Sequence, residues 1–210
     1  MSSRNSSVPH LIAGGGRIIR KISMINYIGL DGEMSGIDIN NGHKLIQIGL
    51  AKMVDGKMTS TSALLNPGKM AWSEEAEKVH LFSRDKIKKD GVDPKSVDHA
   101  LSDWVSLKAD RQNTITVGFN VGSFDLPFVS QTLPVLKSRI SRRSVDLNSI
   151  LFAISNTDGQ FQKIKSQSKN YAEEKMDGMF DGFKNREHDA EYDAVMALYC
   201  FEYIRSVIKL

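Results

Sequence analysis

The strongest constraint on the fold is a strand-and-turn pattern near the start of the chain. MINYIGLD (24–31), KLIQIGLAKMV (44–54) and KMTSTSALL (57–65) are runs of strand length rich in apolar and β-branched residues. Asn40-Asn41-Gly42 and Asp55-Gly56 separate them, and Asn66-Pro67-Gly68 closes the third. These residues turn the chain tightly because they tolerate the backbone angles of short hairpins. Three strands joined this closely form an antiparallel meander. Helix and strand patterns then alternate. SEEAEKVHLF opens on Ser73, a capping residue followed by Glu74 and Glu75 in the first turn, and SVDHALSDWVSLK puts Val97, Ala100, Leu101, Trp104 and Val105 on one helical face. TITVGFN (114–120) reads as a strand, LPFVSQTLPVLKSRI as one helix despite Pro134, and RSVDL as a brief strand. The polar stretch 155–187 reads as loop-rich, and DAEYDAVMALYCFEYIRSVIKL as a long amphipathic helix. The expectation is an α/β domain built on a mixed five-stranded sheet, three strands antiparallel and the later ones parallel, flanked by helices.

Length and charge bound the rest. A chain of 210 residues with 40% hydrophobic content supports one core, so residues 24–210 are read as a single domain. Residues 1–23 are read as a flexible leader or tag, with an organellar transit peptide as the alternative. That leader carries Arg4, Arg17, Arg20 and Lys21 and no acid, so the net charge of +3 for the whole chain leaves residues 24–210 at −1. The basicity belongs to the leader and does not mark the domain as a polyanion binder. Gly14 to Gly16 lack the Gly-Lys-Ser/Thr that would make them a phosphate loop. Charged residues interrupt every apolar run before the ~20 residues that a membrane span needs. Cys200 is the single cysteine, which excludes an intrachain disulfide and suits a reducing compartment. The expected location is cytoplasmic, or organellar if the leader is a transit peptide.

Three acidic sites stand out against this background. Asp31 and Glu33 are two residues apart, so if the first strand persists through them both point to one face and can converge on one cation. An Asp-Gly turn is the simpler explanation for the pair taken alone. Asp125 follows a strand and loop at the start of a helix, where an N-cap carboxylate is also common. Asp193 lies in the first turns of the last helix, five residues after His188, and a helix-start acid is favoured there by the macrodipole. Five residues of helix rotate by about 500°, leaving two side chains ~140° apart. His188 and Asp193 therefore share a site only if His188 lies in the loop before the helix, with Asp189 as the N-cap. An imidazole placed there can act as a general base near neutral pH.

Together, Asp31-x-Glu33, Asp125 within N-x-x-x-F-D, and His188-x-x-x-x-Asp193 resemble the three motifs of the DEDDh (DnaQ-like) 3′-to-5′ exonucleases, in the same order. The resemblance covers nearly all of residues 25–205. D-x-E-M-S-G at 31–36 is similar to the D-x-E-M-T-G of the oligoribonuclease branch, as is the step from Asn120 to Asp125. The resemblance implies a ribonuclease-H-like fold. It implies that Asp31, Glu33, Asp125 and Asp193 hold two Mg²⁺ or Mn²⁺ ions, and that His188 takes a proton from the attacking water. Hard carboxylate oxygens suit those ions. The implied activity is release of nucleoside 5′-monophosphates from single-stranded RNA or DNA 3′ ends, with short RNA preferred, and similar oligoribonucleases are homodimers. FKNRE before His188 lacks the small or glycine-rich run that many relatives carry.

By the same resemblance, Met34, Ser35 and Gly36 lie where the backbone can approach a terminal nucleotide, and Trp72, His80, Leu81 and Phe82 where terminal bases stack, with Asn120 beside the second motif. Each of these aromatic and apolar residues equally suits core packing. Arg142 and Arg143 can meet phosphates or form a solvated pair, and Asp146 can support the site. Two other functions fit the pattern: a DNA-directed proofreading or repair exonuclease, and an inactive nucleic-acid-binding module of the same fold. All four acids and the histidine are present, which disfavours the latter.

Overall fold

The structure is a computed structural model that describes residues 25–106, 111–180 and 188–208. The proposed leader, residues 1–23, and the FKNRE stretch lie outside the described residues. Strand β1 spans Asn26–Met34, β2 Leu45–Val54, β3 Lys57–Leu64, β4 Thr114–Gly118 and β5 Ser144–Asp146. They form one sheet in the order β3-β2-β1-β4-β5, with β1, β2 and β3 antiparallel to one another in turn and β4 and β5 running parallel to β1. This is the mixed five-stranded sheet of a ribonuclease-H-like fold. Among the described residues, no helix is long and apolar enough to cross a membrane.

Among the described residues, eight α-helices flank the sheet: α1 Glu74–His80, α2 Arg84–Asp90, α3 Pro94–Val105, α4 Asp125–Thr132, α5 Pro134–Arg139, α6 Leu147–Ile154, α7 Asp158–Met176 and α8 Ala190–Ile208. Alternation along β1 divides the core. Ile28, Leu30 and Met34 face one layer, packing with Leu101 and Val105 of α3 and with Leu126, Phe128, Val129 and Leu136 of α4 and α5. Tyr27 faces the other, where α6, α7 and α8 pack through Leu147, Leu151, Phe161, Ala172, Val195 and Ile204. Fully burying each large aliphatic side chain stabilises the fold by roughly 1.5–3 kcal/mol.

Four readings of the sequence need correction. The 125–139 segment is two helices, because proline at 134 removes an amide and pushes Leu133 out of helical angles, to φ −130° and ψ 66°. On α3, Ala100 is exposed, while Asp98 is buried, accepting from the amides of Val135 and Leu136 at 2.9 and 2.8 Å. The carboxylate there starts α5, a helix whose own preceding residue offers no side-chain cap. The stretch taken as loop-rich is mostly α7, capped by Thr157 and fixed to α8 through Phe161, Ser168, Ala172 and Met176. Helix α2, with Ser83 as its cap, carries only one buried residue, Ile87, and so gave no amphipathic pattern. The other caps match expectation: Ser73 accepts from the amide of Ala76 at 3.2 Å, and Asp189 from that of Glu191 at 3.1 Å.

Candidate active site

Strand β1 runs through both of its acids, which lie opposite Gly49 and Gln47 of β2. Tyr27, Gly29, Asp31 and Glu33 share the face that α8 covers. Two glycines let α8 come close. A Cβ on Gly29 would sit 2.1 Å from the Ala194 carbonyl oxygen, and one on Gly49 would sit 1.9 Å from that of Ala190. Glycine inside a strand marks this kind of close backbone approach. Gln47 completes the seat, its Oε1 accepting from the Ala190 amide at 3.0 Å across from Glu33. The first turns of α8, and with them Asp193, are thereby pressed against the β1 acids.

Asp125 arrives from the other side. Strand β4 pairs with β1 only as far as Gly29, which leaves the β1 edge beyond it open. Asp125 is the first residue of α4, and its carboxylate accepts from its own amide and from that of Gly32. It serves the junction with β1 and is not the N-cap; Phe124 holds that position. His188 is exposed and sits in the left-handed region at φ 68°, an uncommon state for a residue with a side chain. Its amide donates to the Asp193 carboxylate. Ligating atoms of Glu33, His188 and Asp193 lie within 4.8 Å of one another.

The electrostatics of this centre are unbalanced. Burial, then Asp125, Asp193, Glu33 and Asp189, raise the Asp31 carboxyl well above its ordinary range. Glu33 is pushed up to about 8 by burial and by Asp193, Asp125 and Asp189. Burial also raises Asp125 to about 7, against the two amides it accepts from, with Asp146 adding to the rise. Asp193 reaches about 6, burial being opposed by the nearby His188 and Lys169 charges. Acids this repelled by one another are matched by a cation, and an all-oxygen donor set of carboxylates fits a hard divalent ion. The centre can hold such an ion; Asp31, Glu33, Asp125 and Asp193 are the candidate ligands.

The sequence model of the family described as RNase_T, Exonuclease, matches residues 28–201. The chain belongs to this exonuclease family. No curated protein matches it significantly. In this exonuclease the matched span begins in β1 and ends in α8, so it contains every acid of the centre.

The remaining candidates of the exonuclease lie at varied distances from solvent. Met34 is buried in the core, and Ser35 is fully buried, bonded to Lys44 through its hydroxyl and amide and to the Ser73 amide through its carbonyl. Gly36, at φ 157°, lies over the His43 ring, which a Cβ would meet at 2.3 Å. Trp72 is half-buried and donates to Glu77 at 2.7 Å. His80 is 5% exposed, stacked on Phe82, and its Nδ1 accepts from the Phe82 amide at 3.0 Å. Burial holds its imidazole below the ordinary pKa. Leu81, at φ 61°, is 76% exposed beside it, and Asn120 is exposed at φ 60°. Arg143 donates to the Gln112 carbonyl, and Asp146 caps α6 through the Ser149 amide. Gln47, Gly29 and Gly49 were not among the sequence candidates, although glycines inside two strand patterns were the available signal.

The raised carboxyls have a consequence for stability. Between about pH 4, where unfolded carboxyls titrate, and pH 8, the folded metal-free chain binds more protons than the unfolded one. Stability is therefore present at the acid end of this window and is lost as pH rises through the folded pKa values. In the presence of a chelator, the melting temperature is expected to be lower at pH 8 than at pH 5 by roughly 5 °C or more. A melting temperature that rises over that interval contradicts the electrostatic description.

Proposed function

We propose that this exonuclease is a divalent-cation-dependent enzyme of the DEDDh type. It shortens single-stranded nucleic acid from the 3′ end, releases nucleoside 5′-monophosphates and prefers short RNA, as the oligoribonuclease branch does. One observation carries the reading: Asp31 and Glu33 from β1, Asp125 from α4 and Asp193 from α8 interact with one another, with His188 next to two of them. Asp31, Glu33, Asp125 and Asp193 would hold Mg²⁺ or Mn²⁺. Bound there, such ions supply charge neutralisation at the phosphate and lower the pKa of a water.

The chain's own groups do the rest. His188, exposed at the mouth of the centre, takes the proton of the attacking water, and the carboxylates nearby stabilise the imidazolium that results. The hydrogen bond from its backbone amide to the Asp193 carboxylate ties the loop to the acid, so the base and the proposed ligand move together. The exposed Leu81 and the half-buried Trp72 and Phe82 surround His80 and offer apolar surface for a terminal base. The backbone after Glu33 is fixed by the Ser35 hydrogen bonds, which gives that surface a rigid edge.

Matched RNA and DNA pentamers labelled at the 5′ end, incubated with Mn²⁺, test this directly. The expected result is a ladder of products shortened one nucleotide at a time, faster for RNA. Label released as a mononucleotide at the outset would reverse the polarity, and faster DNA shortening would move the enzyme to the DNA-directed reading.

A further inference from the structure

Helix α7 brings a line of hydrogen-bond donors to the acidic centre. Lys165 Nζ lies 3.3 Å from Asn148 Oδ1, and 5.3 Å from the centre of the Phe119 ring at the exit of β4. Asn148 Nδ2 in turn donates to Asn120 Oδ1 at 3.1 Å, at an exposed side chain. Asn120 is exposed and begins the turn that ends in Asp125. Lys169 follows Lys165 by one helical turn, on the same side of α7, and is exposed. Among the described residues, Lys169 is the one lysine or arginine whose charge acts on the four acids, and it acts on Asp193.

The two ammonium groups repel each other, and no carboxylate of α7 joins them in an ion pair among the described residues. A polyanionic chain entering a centre crowded with carboxylates is repelled along its approach, beyond the one phosphate that bound ions neutralise. Donors and cations on the approach offset that repulsion.

We propose that Lys165, Lys169, Asn148 and Asn120 form a track for the phosphodiester upstream of the scissile bond, and so set the enzyme's preference for an oligonucleotide over a single nucleotide unit. The inference rests on the exonuclease reading above and deepens it.

Two substrates separate the track from the catalytic centre: a 5′-labelled pentamer, and the p-nitrophenyl ester of a nucleoside 5′-monophosphate, which has the scissile phosphate and no upstream one. Both are assayed with Mn²⁺ for wild type, Lys169→Gln, Lys169→Arg and the double variant Lys165→Gln/Lys169→Gln. Lys169→Gln is expected to lower kcat/KM for the pentamer by about fivefold more than for the ester, mainly through KM. It is also expected to reduce the slope of log kcat/KM against log salt by about 0.7 for the pentamer. Lys169→Arg restores the ratio, and the double variant lowers it further. Equal losses on both substrates assign Lys169 to tuning Asp193 and overturn the track, as does a Lys169→Gln variant that loses nothing on either. A wild type that shortens no oligomer and leaves the ester intact overturns the exonuclease reading together with the track.

Discussion

Replacing Asp31 by Asn is expected to abolish turnover while raising the melting temperature of the metal-free protein. Asparagine has the shape of aspartate, so the packing of β1 against α8 stays. It has no charge, and a carboxamide is a poor ligand for a hard divalent ion in a site built from carboxylates. Loss of one of the proposed ligands should cost at least about a thousandfold in kcat, because it removes more than the groups that merely orient ligands. The gain in stability has a separate origin. Asp31 is held well above the ordinary carboxyl range, so the folded metal-free chain holds a proton there at pH values where the unfolded chain, titrating at about pH 4, has already lost it. Asparagine needs no such proton. A rise of about 3–6 °C at pH 7 is expected, shrinking as the pH falls towards 4, with EDTA present throughout. Retained turnover would remove Asp31 from the centre, and a lower melting temperature would mean that its carboxyl is satisfied by the protein.

The second large effect is expected from Gly49→Ala, a change of one methyl group outside the acidic set. The new Cβ would fall 1.9 Å from the Ala190 oxygen, 2.0 Å from its carbonyl carbon and 2.4 Å from the Glu191 nitrogen. All three are backbone atoms, so no rotamer change relieves the contact. The first turn of α8 must move by an ångström or more, and it takes Asp193 and the Gln47 bond to Ala190 with it. Overpacking of this kind costs about 1–3 kcal/mol, or roughly 3–10 °C in melting temperature. Misplacement of a catalytic group by 1 Å is worth about 100-fold in rate. Calorimetry and single-turnover hydrolysis measure the two effects, and wild-type values in both would show that α8 does not rest on Gly49.

The sequence made the sheet legible because hairpin turns and strand patterns are local. Asp31 and Glu33 were also legible, since alternation alone puts them on one face once β1 extends through them. Their position inside the strand, two and four residues beyond Gly29, puts them on the face that α8 covers, with Glu33 buried and Asp31 partly so. Helix α7 was hidden for a physical reason. Its buried stripe includes Ser168 and Ala172, which carry little hydrophobic signal, so the helix is defined by what α8 offers it and not by its own periodicity. Asp98 was hidden because a buried aspartate on α3 has meaning only through the α5 amides it caps, more than thirty residues along the chain. Gln47 likewise acts on a helix start far along the chain, and a lone glutamine in a strand gives no such hint.

Whether the four acids form a divalent-cation site is measured by calorimetric titration of Mn²⁺ into the metal-free protein at pH 7.5, wild type and Asp31→Asn in parallel. Saturable binding to the wild type is expected with release of protons, because the raised carboxyls of the centre must ionise to accept the ion, and binding is expected to be severely weakened in Asp31→Asn. Equal binding by the two proteins, or no binding by the wild type, would contradict such a site.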